Sequence, residues 1–183
     1  MIFLSPFSST LYKWKKANSI YHPRAPSPAK SRFNDGTWWA NYFASSARGA
    51  VAEFLRRNPE FFNLESDLEI TIELFEIEIS VEKEVAEVRD SVGQLQAGIS
   101  LERLTSSEPD EVVRYLECRE FAKIVLLQNL VGIAFPSAAA TWAGAWNLVV
   151  FEKEILGNWL IAHFVEVNPP SLTNSEVNVL PHD

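Results

Sequence analysis

The chain has only one cysteine, Cys118, among its 183 residues. An intrachain disulfide is therefore impossible, which excludes the small secreted scaffolds that disulfides hold together. Because Cys118 falls within a predicted helix, we expect it to be a small buried hydrophobe. The three histidines, His22, His163 and His182, are far apart and have no ligand-like spacing to one another or to the cysteine. We therefore expect no metal site.

Long apolar segments are also missing. No run approaches the roughly 18 apolar residues that a membrane-spanning helix needs. In the opening segment, MIFLSPFSSTLYKWKK, the charges follow the apolar part, which is the reverse of a signal peptide. These two absences predict a cytoplasmic protein that does not contact a membrane.

Glycine-rich phosphate-binding motifs are absent as well, although the chain has seven glycines. There is neither a dinucleotide-binding fingerprint of the Rossmann type nor a P-loop. No Gly-x-Ser-x-Gly elbow surrounds Ser137, and no histidine is placed to activate it for acyl transfer. If the chain binds a nucleotide, its side chains must hold the phosphates.

The chain does have a large apolar fraction and an uneven distribution of charge. Hydrophobic residues make up 47% and aromatic residues 12%, which favours a folded globule over a disordered chain. A length of 183 residues predicts one domain over residues 1–183. Six basic residues precede the first acidic residue, Asp35, on a chain of net charge −8. The acidic balance argues against nucleic-acid binding, and the basic segment is an anion-binding lip, a partner site or a solvated arm.

The first part of the chain predicts strands and one capped helix. Four prolines make residues 1–30 an extended segment, with a short strand at residues 11–14. Aromatic residues predict a strand over residues 38–44, and the hydroxyls of Ser45 and Ser46 predict the cap of the helix that follows.

Residues 68–81 alternate between apolar and polar side chains and form the clearest predicted strand. The apolar positions are even-numbered up to Leu74 and odd-numbered from Phe75 onwards. A strand has a period of two, so we expect a β-bulge at Leu74-Phe75 that accommodates the change of phase.

The remaining elements predict the fold class. Residues 83–105 allow one or two short helices, and a longer helix begins near Ser107 and continues to about Asn129. Short apolar strands follow at residues 131–135, 146–151 and 160–167, and residues 169–183 form an irregular tail. Because strands and helices do not alternate regularly, the order predicts an α+β fold.

Four polar side chains form a candidate nucleotide site. Arg32 precedes a turn, Tyr42 lies on the aromatic strand, and Glu53 lies off the apolar stripe of the first helix. Ser137 follows a buried strand. An arginine can bind phosphate through a forked contact, and a tyrosine ring attracts a flat cationic ring. A carboxylate can stabilise positive charge at an anomeric carbon, and a hydroxyl can contact ribose or phosphate.

Each of these residues also has an ordinary structural interpretation. An arginine before a turn is typically a surface residue, and a tyrosine on an aromatic strand is typically part of the core. Glu53 could form weak ion pairs on a solvated helix face, and Ser137 could close a turn.

With these residues in this order, the chain resembles the RES-domain family, whose members are mostly bacterial toxins that consume NAD. The resemblance begins near Leu11, covers most of the chain and rests on motifs that recur in the family order. These motifs are Arg32-Phe33-Asn34, Tyr42 on a strand, Ala50-x-x-Glu53 in a helix, Pro136-Ser137 after a strand, and Asn147 before another.

The resemblance implies a split, mixed β-sheet with flanking helices, like that of an ADP-ribosyltransferase. It implies NAD as substrate, no cofactor, and cleavage of the nicotinamide–ribose bond by hydrolysis or phosphorolysis. Glu53, Arg32 and Tyr42 would be catalytic, and Arg32, Tyr42, Ser137 and Asn147 would bind the substrate. The implied partner is an antitoxin with a helix-turn-helix DNA-binding part, and any oligomer would form through it.

Two departures from the family pattern leave alternatives open. Lys30-Ser31 replace the glycines that usually precede the motif arginine, and Trp38-Trp39 stand where smaller residues are usual. Such changes could narrow the cleft or alter the acceptor. The alternatives are transfer of ADP-ribose to a protein and a non-catalytic module of the same fold that binds a nucleotide or a partner.

Overall fold

The structure, a computed structural model, describes most of the chain, and all statements below refer to that part. The described residues are 3–4, 7–16, 19, 26–58, 70–81, 83–140, 144–151, 160–167 and 171–172. For residues 3–4, 70–71, 160–167 and 171–172, only the backbone is described.

Nine strands and four helices are present in these residues. In chain order they are β1 (Phe3–Leu4), β2 (Phe7–Lys16), β3 (Ala40–Ala44), α1 (Ala47–Arg57), β4 (Ile70–Val81), β5 (Val85–Glu87), α2 (Ser91–Ala97), α3 (Leu101–Thr105), α4 (Glu111–Leu127), β6 (Gly132–Pro136), β7 (Trp146–Phe151), β8 (Leu160–Val167) and β9 (Ser171–Leu172).

The strands form one mixed sheet in the order β1-β5-β6-β7-β3-β2-β4-β8, with β9 paired to β4. Strands β5 and β6 run parallel, and the other described pairs are antiparallel. The predicted α+β class with a mixed sheet is thus confirmed.

The sheet is split between β2 and β3. These two strands pair at one position, Tyr12 with Ala44. On either side of the split the pairing is regular: β2 pairs with β4 without interruption from Phe7 to Lys16, and β3 pairs with β7 along its whole length. The two wings of the sheet are therefore joined at a single backbone position, which leaves room for a cleft.

Apolar side chains pack on both faces of the sheet. Neighbouring residues of one strand enter different clusters, as Ile133 and Ala134 of β6 do. The cluster around Ile133 includes Leu104 of α3 and Phe121 of α4, so these helices cover that face. Alternation along a strand sends successive side chains to opposite faces, and here both faces are buried.

The β-bulge predicted at Leu74-Phe75 is wrong. Strand β4 keeps an unbroken register with β2 from Ile72 to Val81, and with β8 from Leu74 to Val81. The apolar phase changes because different faces are covered at the two ends of the strand. Leu74 packs against Ala50 of α1, whereas Phe75 packs into the cluster on the opposite face.

The helix predictions agree with the structure. Ser46 caps α1, and its hydroxyl accepts a hydrogen bond from the amide of Gly49. Helix α4 begins at Glu111 after the N-cap Asp110, four residues later than the predicted start near Ser107, and it ends at Leu127, two residues before the predicted end. No helix in the described part of the chain is long and apolar enough to cross a membrane.

The strand predictions differ mainly in length. Strand β2 is longer than the short strand predicted at residues 11–14, and β3 begins two residues later than predicted. The two-residue strand β9 lies in the predicted irregular tail, and residues 173–183 lie outside the described residues.

Cys118 is fully buried on the core-facing side of α4, as the sequence predicts. Burial raises the pKa of its thiol to about 11, because the thiolate would lose its hydration. We expect no reaction with a thiol reagent at pH 8 until the chain is unfolded in urea. Since the folded state holds the proton more tightly, the stability that Cys118 contributes should fall as the pH rises from about 9 to about 11. Rapid labelling of the folded protein at pH 8 would contradict this prediction.

Candidate functional site

A cavity of about 670 Å³ lies at the split of the sheet. This volume falls within the range of roughly 300 to 1,000 Å³ that is usual for ligand pockets. Residues of β2 and β3 line it together with residues of α1 and α4 and the loop before β3. The polar side chains in its wall are Tyr12, Lys13, Ser27, Lys30, Ser31, Arg32, Asn41, Tyr42, Glu53, Arg56, Arg57, Glu111, Arg114, Tyr115 and Asn147.

Glu53 lines this cavity from the middle of α1. Phe54 and Leu55 of the same helix are buried and do not line the cavity, and their positions turn Glu53 away from the core. Trp14 of β2 packs edge-on against Phe54, with ring centroids 4.9 Å apart. This packing fixes the rotation of α1 about its axis, so the carboxylate faces the cavity.

Two side chains hold the Glu53 carboxylate. The Ser137 hydroxyl donates a hydrogen bond to Glu53 Oε1 over 3.0 Å, and Asn147 Nδ2 donates to the same oxygen over 2.7 Å. Within the described residues no donor reaches Oε2, so this oxygen is available to a ligand. Charge-assisted bonds of this kind fix the orientation of the carboxylate.

Ser137 lies behind the site and is not part of the cavity wall. It is fully buried just after β6, and its hydroxyl accepts hydrogen bonds from the amides of Ala139 and Ala140. In this structure Ser137 contacts Glu53 and does not line the cavity, and its contact with a substrate stays a prediction. Its hydroxyl is used by the turn and by Glu53, because the chain turns sharply after Pro136. Asn147, by contrast, does line the cavity.

Arg32 is buried in the cavity wall, with its guanidinium between two aromatic rings. Its Cζ lies 5.6 Å from the ring centroid of Tyr115 and 5.9 Å from that of Phe135. The guanidinium donates to the carbonyl oxygen of Leu104, which fixes the side chain. Arginine has five N–H donors, so donors are left for a ligand.

Tyr42 lines the cavity with its ring and anchors the preceding loop with its hydroxyl. The hydroxyl lies 2.8 Å from Ser31 Oγ and accepts a hydrogen bond from the Phe33 amide over 3.0 Å. Burial raises the pKa of the Tyr42 phenol, and these hydrogen bonds oppose the rise. The phenol is therefore neutral near pH 7. The exposed Arg57 places its Cζ 5.7 Å from the centroid of the ring.

We expect Tyr42→Phe to lower the free energy of unfolding by about 1 to 3 kcal/mol, because it leaves the Phe33 amide without its partner. Urea unfolding would measure the loss. Tyr12→Phe is the matched control, since it removes a single hydrogen bond to the partly exposed Glu76 and should cost about 0.5 kcal/mol. Equal losses in the two variants would show that the Tyr42 hydroxyl does not anchor the loop.

The turn that carries Arg32 is held by Asn34. The Asn34 amide nitrogen donates to the carbonyl oxygen of Trp38 over 2.7 Å, and its oxygen accepts from the Gly36 amide over 2.7 Å. Trp38 is a core residue that packs edge-on against Phe151. Neither Trp38 nor the half-exposed Trp39 lines the cavity, so the tryptophan pair does not narrow it. Of the two departures from the family pattern, Lys30-Ser31 and Trp38-Trp39, only Lys30-Ser31 lies in the cavity wall.

Sequence reasoning missed several residues of the cavity wall. Arg56 follows Glu53 by three positions on the same helix, and residues at this spacing share a helix face. That spacing was the available signal. Arg114 and Tyr115 come from α4, more than 50 residues away in the chain, and no local pattern connects them with Glu53. Lys13 reaches the cavity from β2 and donates to the Asn41 side chain across the split.

The cavity wall is positively charged although the chain is acidic. Six cationic side chains and two carboxylates line it, on a chain of net charge −8. A cleft lined with charge of one sign attracts ligands of the opposite sign. Among the described residues, no group of three or more His, Cys, Asp or Glu side chains could hold a metal ion.

Comparisons with known proteins agree with this architecture. The family model described as RES domain matches residues 9–159. No curated protein matches the chain significantly. Among solved structures, the chain is similar to a chain in the crystal structure of the M. tuberculosis MbcT-MbcA toxin-antitoxin complex. The TM-score is 0.68 with 17% sequence identity, and the match covers 96% of this chain and 90% of that one.

At this identity the similarity concerns the fold, and it agrees with the split mixed sheet that the family resemblance implies. The family model spans most of the chain, including every residue of the Glu53 hydrogen-bond network. The chain therefore belongs to the RES-domain family.

Proposed function

We propose that the protein is a RES-type toxin that acts in the cytoplasm and cleaves the nicotinamide–ribose bond of NAD. The observation that carries this proposal is the Glu53 carboxylate, which is held on one oxygen by Ser137 and Asn147 and has its other oxygen available in a cationic cavity. An anion at this position opposes the positive charge that develops on ribose when the bond breaks.

In the proposed reaction, Arg32 binds the pyrophosphate and fixes the dinucleotide. The nicotinamide ring packs on Tyr42, where it displaces the exposed guanidinium of Arg57. The bond between the anomeric carbon and the ring nitrogen then breaks, and its electron pair leaves with nicotinamide, which becomes neutral. Oε2 of Glu53 stabilises the resulting oxocarbenium ion until water or phosphate attacks the anomeric carbon. Water gives ADP-ribose, and phosphate gives its 1-phosphate ester.

Ser137 and Asn147 act on this reaction by positioning Glu53. Both side chains are buried, and both bond to Oε1, so the carboxylate cannot rotate freely. A catalytic carboxylate that is fixed before the reaction has no reorganisation to perform during it.

The toxin assignment rests on family membership and on the similarity to a chain from a toxin-antitoxin complex. The protein would then have a cognate antitoxin, which the family resemblance implies to carry a helix-turn-helix DNA-binding part. Any oligomer would form through this partner. Co-expression with the gene next to its own should relieve toxicity if that neighbour encodes the antitoxin.

The direct test is incubation of the purified protein with NAD, with and without phosphate. Chromatography should detect nicotinamide together with ADP-ribose or its phosphate ester. ADP-ribose would identify water as the acceptor, and the ester would identify phosphate. Induced expression in a bacterial host should lower the NAD concentration and arrest growth. Intact NAD after prolonged incubation, with an active NAD hydrolase as positive control, would refute the proposal.

Transfer of ADP-ribose to a protein breaks the same bond and differs only in the acceptor. Labelled NAD would reveal it through label retained on a protein of the host extract. The non-catalytic alternative was motivated by the Trp38-Trp39 pair. This motivation is lost, because neither tryptophan lines the cavity.

A further inference from the structure

The guanidinium groups of three arginines lie in the same part of the cavity wall, near Tyr115 and Glu53. They belong to Arg32, Arg56 and Arg114. The Cζ atoms of Arg32 and Arg114 lie 5.6 and 4.6 Å from the ring centroid of Tyr115. Arg56 is close enough to Arg32 and Arg114 for both charges to lower its pKa, in addition to the larger effect of its burial. Like charges at this proximity repel one another, so the arrangement is costly in an empty cavity.

None of the three has an ion-pair partner within the described part of the chain. Arg32 and Arg56 donate to the backbone oxygens of Leu104 and Ser106, which are neutral. The fourth arginine near Tyr115 is different, because Arg119 is paired with Glu111 over 2.8 Å and donates to the Ser31 carbonyl oxygen. Arg119 is therefore structural, whereas no described carboxylate forms an ion pair with Arg32, Arg56 or Arg114, and Glu53 is the carboxylate near enough to act on Arg56.

Arg114 is also left with an orphaned donor. Its Nε is fully buried and has no hydrogen-bond partner among the described residues. A buried donor without an acceptor is rare in folded proteins, and it is most costly when the group is charged. A phosphate bound to the amino nitrogens of the same guanidinium would offset that cost.

We propose that Arg56 and Arg114 form a second phosphate-binding subsite, which takes a phosphate dianion separate from the pyrophosphate on Arg32. Six cationic side chains and two carboxylates line the cavity, so a dinucleotide whose pyrophosphate carries two negative charges leaves positive charge on the wall unmatched. The forked N–H donors of a guanidinium match the oxygens of a tetrahedral phosphate. The dianion is either the 2′-phosphate of a phosphorylated dinucleotide such as NADP or a free phosphate ion.

The importance of this subsite for turnover rests on the proposed NAD cleavage, but its occupancy does not. The test therefore measures binding by calorimetry on the full chain, with no catalytic readout. The first probe is inorganic phosphate. The second is the ratio of NADP to NAD affinity, measured with Glu53→Ala so that neither dinucleotide is consumed.

We expect Arg114→Gln and Arg56→Gln each to weaken binding at the subsite about 10- to 100-fold, as the loss of a charged hydrogen bond implies. Arg114→Lys should lie between wild type and Arg114→Gln, because lysine keeps the charge without the fork. Arg103→Gln is the matched control. Arg103 is half exposed on α3, pairs with Glu117 and does not line the cavity, so its loss should change nothing.

The two sources of phosphate give different results. If the dinucleotide carries it, NADP binds more tightly than NAD, and Arg114→Gln abolishes the difference. If the subsite takes a free phosphate ion, NADP and NAD bind with equal affinity, and Arg114→Gln weakens only the binding of inorganic phosphate. Unchanged phosphate affinity and an unchanged NADP to NAD ratio in both glutamine variants would overturn the proposal, as would a wild-type chain that binds neither phosphate nor NADP. Phosphate binding without nicotinamide release would instead count against the proposed cleavage.

Discussion

Glu53→Ala is expected to lower the rate of nicotinamide release from NAD by about 1,000-fold. Loss of one preorganised electrostatic contact with the transition state typically costs a factor of about 100 to 1,000, which corresponds to about 3 to 4 kcal/mol of activation free energy. Ser137 and Asn147 hold the Glu53 carboxylate, and the other carboxylate in the cavity wall, Glu111, is paired with Arg119, so no neighbouring carboxylate replaces Glu53. Chromatographic detection of nicotinamide over a time course measures the effect.

Glu53→Gln separates charge from geometry. Its amide oxygen can accept both hydrogen bonds from Ser137 and Asn147, but it carries no negative charge. We expect a loss of about 100-fold or more with an unchanged unfolding midpoint. Glu117→Ala removes an exposed carboxylate that pairs with Arg103 outside the cavity, and it should retain full activity. Wild-type turnover by Glu53→Gln would remove the charge of Glu53 from the mechanism.

Gly132→Ala is expected to lower the free energy of unfolding by about 3 kcal/mol, which is a large effect for one methyl group. A Cβ at Gly132 would lie 2.4 Å from the carbonyl oxygen of Val149 in the neighbouring strand β7. Backbone atoms on both sides of this contact belong to regular ladders, so neither can move without breaking strand pairing. For a domain of this size the loss corresponds to a decrease of roughly 10 °C in the unfolding temperature.

Gly98→Ala is the matched control for this variant. Gly98 ends α2 with a φ of +69°, and no atom lies within 4 Å of a Cβ built there. The substitution should cost only the roughly 1 kcal/mol of a left-handed backbone. Equal unfolding temperatures for the two variants in calorimetry would contradict the steric argument. Because β6 runs from Gly132 to the residue before Ser137, the first variant should also reduce NAD cleavage.

The local elements of the fold could be predicted from the sequence. Ser46 caps α1 as predicted, because its short polar side chain satisfies a free backbone amide of the helix that follows it directly. The start of α4 was predicted four residues too early, near Ser107, whereas Asp110 is the residue that caps it. The prediction of a β-bulge at Leu74-Phe75 was wrong for a non-local reason. A change of apolar phase has two explanations, an extra residue or a change in which face is covered, and only the position of α1 decides between them.

The candidate site was predictable to the extent that motifs mark it. Arg32, Tyr42, Glu53 and Asn147 line one cavity, and the order of their motifs allowed them to be grouped. The position of Ser137 behind Glu53 was not predictable, because a hydroxyl after a buried strand can point to either side of the turn. Arg114 was missed because α4 folds over the split from a distant part of the chain.

The single joint between Tyr12 and Ala44 determines how the cavity can admit a ligand. Because β2 and β3 make no further pairing in the described residues, a ligand can lie between the two ladders without separating any strand from its neighbour. A ligand that enters between the wings exchanges side-chain ties such as that from Lys13 to Asn41 for contacts with itself. The paired strands on either side of the cavity can thus stay intact when a ligand binds.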